Sequence, residues 1–360
     1  MNSFFELLQA AAGNRDTLSV IPDSREEWDD LFMLAGRHNL LAYTFPVIDR
    51  LHDEVDVPLG VYSRWAMMAE KIASRNAFHK EACANLYKGF IDSGFRSCIL
   101  KGQAAAVLYP DPALRQGGDI DIWVEGDRHA VVDFLRSRFE LHKIVYHHCD
   151  VKMIKGVGVE VHFTPSWMNA PCANRRLQRW FLEQGDTQFA NFDESLGFCV
   201  PTLEFDAVYM LIHIFRHVLE EGIGLRQLLD YYYVLVHLDD TGRQSALKHL
   251  HHLRMDGFAA AVMYVLKGVF RLDEKFFLCP PDEREGAFLL EEIMISGNFG
   301  KYDSRNAHEK GEGLLGHGKR KFSRGLRYLM HYPSEVLCMP LFMSWQYFWR
   351  RKNGFLYKGR

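Results

Sequence analysis

Gly117-Gly118-Asp119-Ile120-Asp121-Ile122-Trp123 sets two carboxylates two residues apart in a stretch that alternates polar and apolar. On a strand the side-chain period is two, so Asp119 and Asp121 leave the same face close together. Unpaired they repel and one pKa rises, and divalent cations remove that repulsion. A second alternating stretch, Val157-Gly158-Val159-Glu160-Val161-His162-Phe163, carries Glu160 as its lone acid, with His162 on the same face. If this strand lies beside the first in an antiparallel sheet, Glu160 joins the aspartates. Such an oxygen-only, partly hydrated set suits Mg²⁺. Two ions there can hold the attacking and leaving oxygens of an in-line phosphoryl displacement, and Mn²⁺ is the alternative metal.

Upstream, Leu100-Lys101-Gly102-Gln103 falls between a strand and a helix. A glycine there permits close backbone approach, and a helix start offers free N–H groups to a phosphate. Lys101 supplies a point charge and Arg115 a bidentate one. Together with Gln103 and Gly118, these are the expected nucleotide-binding residues.

The elements that must position these groups are readable from periodicity. Residues 3–93 have helical spacing, with Pro22-Asp23-Ser24 as a cap and Pro46 and Pro58 marking turns. Ser97 to Leu100 reads as a buried strand, Gln103 to Tyr109 as a short helix, Asp119 to Val124 as a strand and Asp127 to Phe139 as an amphipathic helix. Stretches near 142–148, 150–155 and 157–163 follow as an antiparallel meander. Helical spacing then returns over 203–219, 225–238, 245–253 and 258–270. The expected class is α+β, a small mixed or antiparallel palm-like sheet with helices, flanked by helical regions. The expected segments are a helical region at 1–93, the chemical core at 94–168, a helical domain at 169–318 and a basic aromatic tail at 319–360.

Other constellations point elsewhere. His213 and His217 are four apart on a helix, but the glutamate a metalloprotease needs is missing. Arg226 and Asp230 form an i,i+4 pair that reads as a modest surface bridge or as pocket lining. His142, His147, His148 and Cys149 crowd one hairpin, yet adjacent strand residues face opposite ways, so one metal does not readily use them all. Arg175, Arg176 and Arg179 read as a solvated helix face.

Composition narrows the setting. The 360 residues carry 43 Lys+Arg against 46 Asp+Glu, 48% hydrophobic and 25% charged, as soluble globular proteins do. The charge is uneven: residues 319–360 hold ten basic side chains and one acid, Glu335, so the tail is +9 and the rest −12. The negative body argues against long nucleic acid as a partner. The tail is expected to be a terminal helix packed on the acidic body, with Trp345, Tyr347, Phe348 and Trp349 beside Arg350, Arg351 and Lys352 leaving peripheral membrane contact open. Seven scattered cysteines without a CxxC pair, the lack of a secretory signal and an apolar run too short for a bilayer lead to the expectation of a cytoplasmic protein.

At these residues the sequence resembles the nucleotidyltransferase superfamily typified by DNA polymerase beta. More narrowly, Leu100-Lys101-Gly102, Leu108-Tyr109, Arg115, Gly118-Asp119-Ile120-Asp121 and Val159-Glu160-Val161-His162 resemble an uncharacterised bacterial nucleotidyltransferase family, NTP_transf_5. Ala35-Gly36-Arg37-His38-Asn39, Ile212-His213 and Gly224-Leu225-Arg226-Gln227-Leu228-Leu229-Asp230 are similar to it as well. The superfamily's usual Gly-Ser or Gly-Gly turn is Gly102-Gln103 here. The resemblance implies a palm-like sheet, use of a nucleoside triphosphate (NTP), Mg²⁺, and Asp119, Asp121 and Glu160 as the acidic set. It also implies transfer of a nucleoside monophosphate to a hydroxyl or phosphate acceptor with pyrophosphate release, the acceptor being a small molecule or a protein. The alternatives are a catalytically silent nucleotide- or partner-binding protein of the same fold and a protein-modifying, antitoxin-like nucleotidyltransferase.

Overall fold

A computed structural model describes residues 2–306 and 322–356. They divide into two compact units built from interleaved segments. One comprises residues 2–77, 106–116, 210–306 and 322–324, and the other 78–105, 117–209 and 325–356. The sequence pattern suggests four consecutive segments. Two long helices, α4 (Leu59–Asp92) and α8 (Leu203–Glu220), instead run through the unit boundaries, so neither unit is a continuous stretch.

The first unit is helical. It contains α1 (Asn2–Ala11), α2 (Arg25–Arg37), α3 (Leu41–Glu54), the start of α4, the end of α8, α9 (Leu225–His237), α10 (Asp240–His252), α11 (Asp256–Phe270) and α12 (Glu283–Ser296). Ser24 starts α2 by accepting from the Glu27 N–H, while Glu27 accepts from the Asp23 N–H. Pro46, read as a turn marker, lies inside α3. The burial of Leu41, Val47, Ile48 and Leu51 keeps that helix intact across the proline.

The second unit holds α5 (Gln103–Ala106), α6 (Arg128–Arg138), α7 (Pro171–Ala190) and a five-stranded sheet. The strands are β1 (Ser97–Leu100), β2 (Ile120–Val124), β3 (Glu140–Ile144), β4 (His148–Ile154) and β5 (Val157–His162), in the order β1-β2-β5-β4-β3. The class is α+β with a mixed sheet, and β3, β4 and β5 form the antiparallel meander. The β2–β5 pair, expected to be antiparallel, is parallel. The connectivity requires this: the α6 crossover returns the chain in the direction of β2, and the two hairpin reversals of the meander restore that direction in β5.

Alternation then sorts the sheet into two faces. Ile120, Ile122 and Val124, with Val159, Val161, Cys149 and Val151, pack with Val131, Val132 and Leu135 of α6 and with Leu86 and Phe90 of α4. The other face carries the polar and aromatic residues. There Trp123 is covered by Phe181, Phe189 and Phe205. A small ladder joins β6 (Phe192–Asp193) to β7 (Phe198–Cys199).

The C-terminal helix α13 (Pro333–Lys352) belongs to this unit. It docks through Phe342, Trp345 and Trp349 on Tyr146, with the Arg128 guanidinium 4.9 Å from the Trp349 ring. Glu335, the tail's only acid, faces inward and accepts from the Asn169 and Ala170 N–H groups at 2.7 and 2.9 Å. Aromatic packing and this carboxylate hold the helix, and nearer the start of the tail Arg324 makes a basic-on-acidic contact, 3.5 Å from Asp303. Lys319, Arg320, Lys321, Lys358 and Arg360 lie outside the described residues. All seven cysteines are free. Among the described residues no helix is long and apolar enough to cross a membrane.

Candidate active site

Three strands set the acids in register. Asp121 on β2 is the parallel partner of Glu160 on β5, and Glu160 is the antiparallel partner of Asp150 on β4. Three carboxylates therefore stand abreast across the centre of the sheet. Two residues further along β5, His162 partners His148 across the β4–β5 pair on the same face. Asp119 lies just before β2, and its carboxylate rests over Gly158: a Cβ built on Gly158 would come within 2.5 Å of Asp119 Oδ1. The bare glycine makes room for the fourth carboxylate.

Cationic and neutral donors tie this row together. Lys101 Nζ is 3.0 Å from Asp121 Oδ1, and His162 Nε2 is 2.9 Å from the same oxygen. His162 Nε2 is also 3.4 Å from Glu160 Oε2. His148 Nδ1 lies 3.5 Å from Glu160 Oε2, and His148 Nε2 bonds Asp150 Oδ1 at 2.8 Å. Lys101 reaches Asp121 because it and Gly102 both adopt left-handed backbone, φ +51° and +52°, at the end of β1. Gly102, Gln103, Gly117 and Gly118 line a small cleft with Asp119 and Asp121, closed on one side by His79 and Cys83 of α4.

The electrostatics follow from burial and crowding. Burial, then the neighbouring Asp121 and Glu160 charges, raises the Asp119 pKa above the ordinary carboxylate range. Burial alone would push the His162 imidazole down, but its bonds to Asp121 and Glu160 outweigh burial and hold it up to about 9. Burial also works to raise Glu160, and the bond from His162 reverses that, leaving its carboxyl below the ordinary range. Buried Tyr209 has its hydroxyl pushed well up by burial first and then by Asp121.

A sequence profile described as "Uncharacterised nucleotidyltransferase" matches residues 24–271, more than half of the chain. The chain belongs to this family. Its matched span includes Asp119, Asp121 and Glu160, the Lys101-Gly102 turn and the helical segments around His38 and Asp230. Among solved structures, an antigenic nucleotidyltransferase-like protein from Paracoccidioides brasiliensis aligns with 17% identity and a TM-score of 0.28, over 54% of this chain and 92% of that one. A search of curated proteins returns no match.

The donor set fits the divalent ion that nucleotidyltransferase chemistry implies. Asp119 and Asp121 are crowded carboxylates whose mutual repulsion a cation relieves, and the Lys101 ammonium already rests on Asp121 as a stand-in positive charge.

Arg115, expected to clamp a phosphate, has another partner. It is 2% exposed in the helical unit, and its Nε and Nη2 donate to the two oxygens of Asp230 at 2.8 Å each. Tyr109 donates to Asp230 at 2.6 Å, and Arg226 stands 3.9 Å from it, so the Arg226–Asp230 pair is buried and not a surface bridge. The helical motif segments also meet in this unit: His38 Nδ1 accepts from the N–H of Leu225, the first residue of α9. His213 and His217 stack edge to face, 4.4 Å between ring centroids. Asp150 is not among the residues that the sequence singles out, because its phase with Glu160 is visible only once β4 and β5 are paired.

Proposed function

We propose that this protein is a Mg²⁺-dependent nucleotidyltransferase that moves a nucleoside monophosphate from an NTP to a hydroxyl acceptor with release of pyrophosphate. The observation that carries the reading is the register of Asp121 with Glu160, with Asp119 lodged against Gly158 beside them. Mg²⁺ bound by Asp119 and Asp121 would neutralise triphosphate charge and orient the α-phosphorus for in-line attack. Lys101 is the cation placed to pass from Asp121 to a phosphate oxygen. Gly102, Gln103 and Gly118 bring backbone close to the cleft where that phosphate would lie.

Glu160 orients the acceptor hydroxyl. The acceptor oxygen forms a bond to the α-phosphorus, the bond from that phosphorus to its bridging oxygen breaks, and pyrophosphate leaves. The hydroxyl proton passes to solvent by way of the Glu160 carboxylate. His162, bonded to both Asp121 and Glu160, fixes the two carboxylates relative to one another. Catalysis on this reading is positioning and charge neutralisation.

The test is to incubate the full chain with Mg²⁺ and each α-labelled NTP, with and without cell extract. Label transfer and pyrophosphate release that vanish in Asp121→Asn support the reading, and the labelled species identifies the acceptor class. Nucleotide binding with no pyrophosphate from any NTP would instead make this a binding protein of the same fold.

A further inference from the structure

Three atoms able to ligate a metal converge at one end of the acidic row. His148 Nδ1, Glu160 Oε2 and His162 Nε2 all lie within 4.8 Å of one another. Two of the edges are 3.5 Å, from Nδ1 to Oε2, and 3.4 Å, from Oε2 to Nε2. Ligands bound at ~2.1 Å to a tetrahedral ion stand about 3.4 Å apart, so these two edges match the spacing such an ion imposes. Sheet register builds the group, since His148 and His162 are cross-strand partners and Glu160 is the next residue along that face.

We propose that His148, Glu160 and His162 bind a nitrogen-preferring divalent transition ion of the Zn²⁺ type, distinct from the Mg²⁺ assigned to Asp119 and Asp121. Two imidazoles and one carboxylate are a poor match for Mg²⁺, which takes oxygen ligands in near-octahedral order, and a good match for Zn²⁺. The surrounding groups agree. His148 Nε2 bonds Asp150 Oδ1 at 2.8 Å, and its Nδ1 lies 2.6 Å from His147 Nε2 and 3.5 Å from Glu160 Oε2, so an ion would take Nδ1 in exchange for the His147 contact. A metal-bound histidine whose second nitrogen donates to a carboxylate is the arrangement that fixes ring orientation and raises ligand basicity.

The ion has a consequence for the neighbouring site. His162 Nε2 now divides itself between Asp121 and Glu160. With a transition ion held there, that nitrogen would no longer bond Asp121 Oδ1, leaving Lys101 as the cation on that oxygen and one fewer donor to compete with a Mg²⁺ ion. This role rests on the nucleotidyltransferase reading, whereas the binding itself does not.

The test titrates the metal-free full chain with Co²⁺, whose visible absorption reports nitrogen ligation, in the absence of nucleotide. The expected result is one equivalent bound with a visible band, displaced by Zn²⁺ and resistant to millimolar Mg²⁺. His148→Ala and His162→Ala should lose the band while retaining wild-type circular dichroism. Asp150→Asn should keep the band but weaken Co²⁺ affinity by about 10- to 100-fold, the usual effect of removing a carboxylate behind a ligating histidine. Asp119→Asn should leave the titration unchanged. No band, a band surviving in both folded histidine variants, or displacement by equimolar Mg²⁺ overturns the site, and His162 is then an imidazolium bridge between two carboxylates only. A band in a protein that transfers no nucleotide leaves the metal site standing and removes the nucleotidyltransferase reading, so the two can fail separately.

Discussion

The Asp119 carboxylate rests against Gly158, close enough that any Cβ at position 158 would come within 2.5 Å of Asp119 Oδ1. The glycine is needed for space, because its φ lies outside the left-handed range that only glycine favours. Gly158→Ala should therefore fold, with a melting temperature within a few degrees of wild type, while displacing the Asp119 side chain. A displacement of about 1 Å in a positioned group can cost ~100-fold in rate, and a fall of that order in pyrophosphate release is the expected outcome. A Gly158→Ala protein with wild-type turnover would show that Asp119 need not sit where it does.

His38 makes acid stability of the helical unit predictable. Its ring is fully buried, and Nδ1 accepts from the Leu225 N–H at the N-terminus of α9. Burial first, then the Arg37 charge, lowers its pKa to about 4. Protonating Nδ1 would break the bond and put positive charge at a helix N-terminus, where the macrodipole disfavours it. The unfolded chain binds this proton near pH 6.5, so the folded state's advantage is complete above that pH and is lost as pH falls towards 4. Between pH 8 and pH 5 the loss is about 2 kcal/mol. Urea unfolding at both pH values should show it, and His38→Gln, which cannot protonate there, should flatten the difference.

The parts of the fold set by local pattern were readable before the structure. Alternation around Asp121 and Glu160 marks β2 and β5, and short polar breaks mark the meander through β3, β4 and β5. What escaped depends on which distant segments meet. The direction of β5 against β2 is set by the α6 crossover, not by either strand's own residues. Asp150 falls in a stretch crowded with histidines, and only the β4–β5 register places it beside Glu160. Arg115 has the charge to clamp a phosphate, and its partner Asp230 lies 115 residues downstream, beyond the reach of any local pattern.

That Arg115–Asp230 pair should behave as a buried ion pair. Burial works to raise the Asp230 carboxyl, but the bidentate Arg115 guanidinium outweighs it and holds the pKa below the ordinary range. Its contribution is present above the unfolded carboxyl's pKa and is lost as pH falls through the lower folded value. Arg115→Met leaves a carboxylate buried without its main partner and should cost about 3–5 kcal/mol in chemical denaturation. The double variant Arg115→Met/Asp230→Leu removes the uncompensated charge and should recover most of that loss. The remainder is the acceptor lost by the Tyr109 hydroxyl, about 1 kcal/mol, together with the carboxylate lost by Arg226 at 3.9 Å. A double variant less stable than Arg115→Met would contradict this account.

Lys101 combines a backbone cost with a charge, and two substitutions separate them. Its φ of +51° is a left-handed conformation that costs a residue with a Cβ about 1–2 kcal/mol, and its Nζ lies 3.0 Å from Asp121 Oδ1. Lys101→Ala keeps the backbone cost and removes the charge, whereas Lys101→Gly removes both. Pyrophosphate release should drop by a similar factor in the two variants, with a raised KM for the NTP, because each lacks the cation that meets the phosphate. Thermal unfolding should rank Lys101→Gly above Lys101→Ala by roughly 1 kcal/mol, since glycine enters the turn without the steric penalty and gives back part of the gain as chain entropy. Equal stability for the two would mean that the turn is not strained. If Lys101→Gly kept wild-type turnover, the Lys101 charge would have no part in nucleotide use.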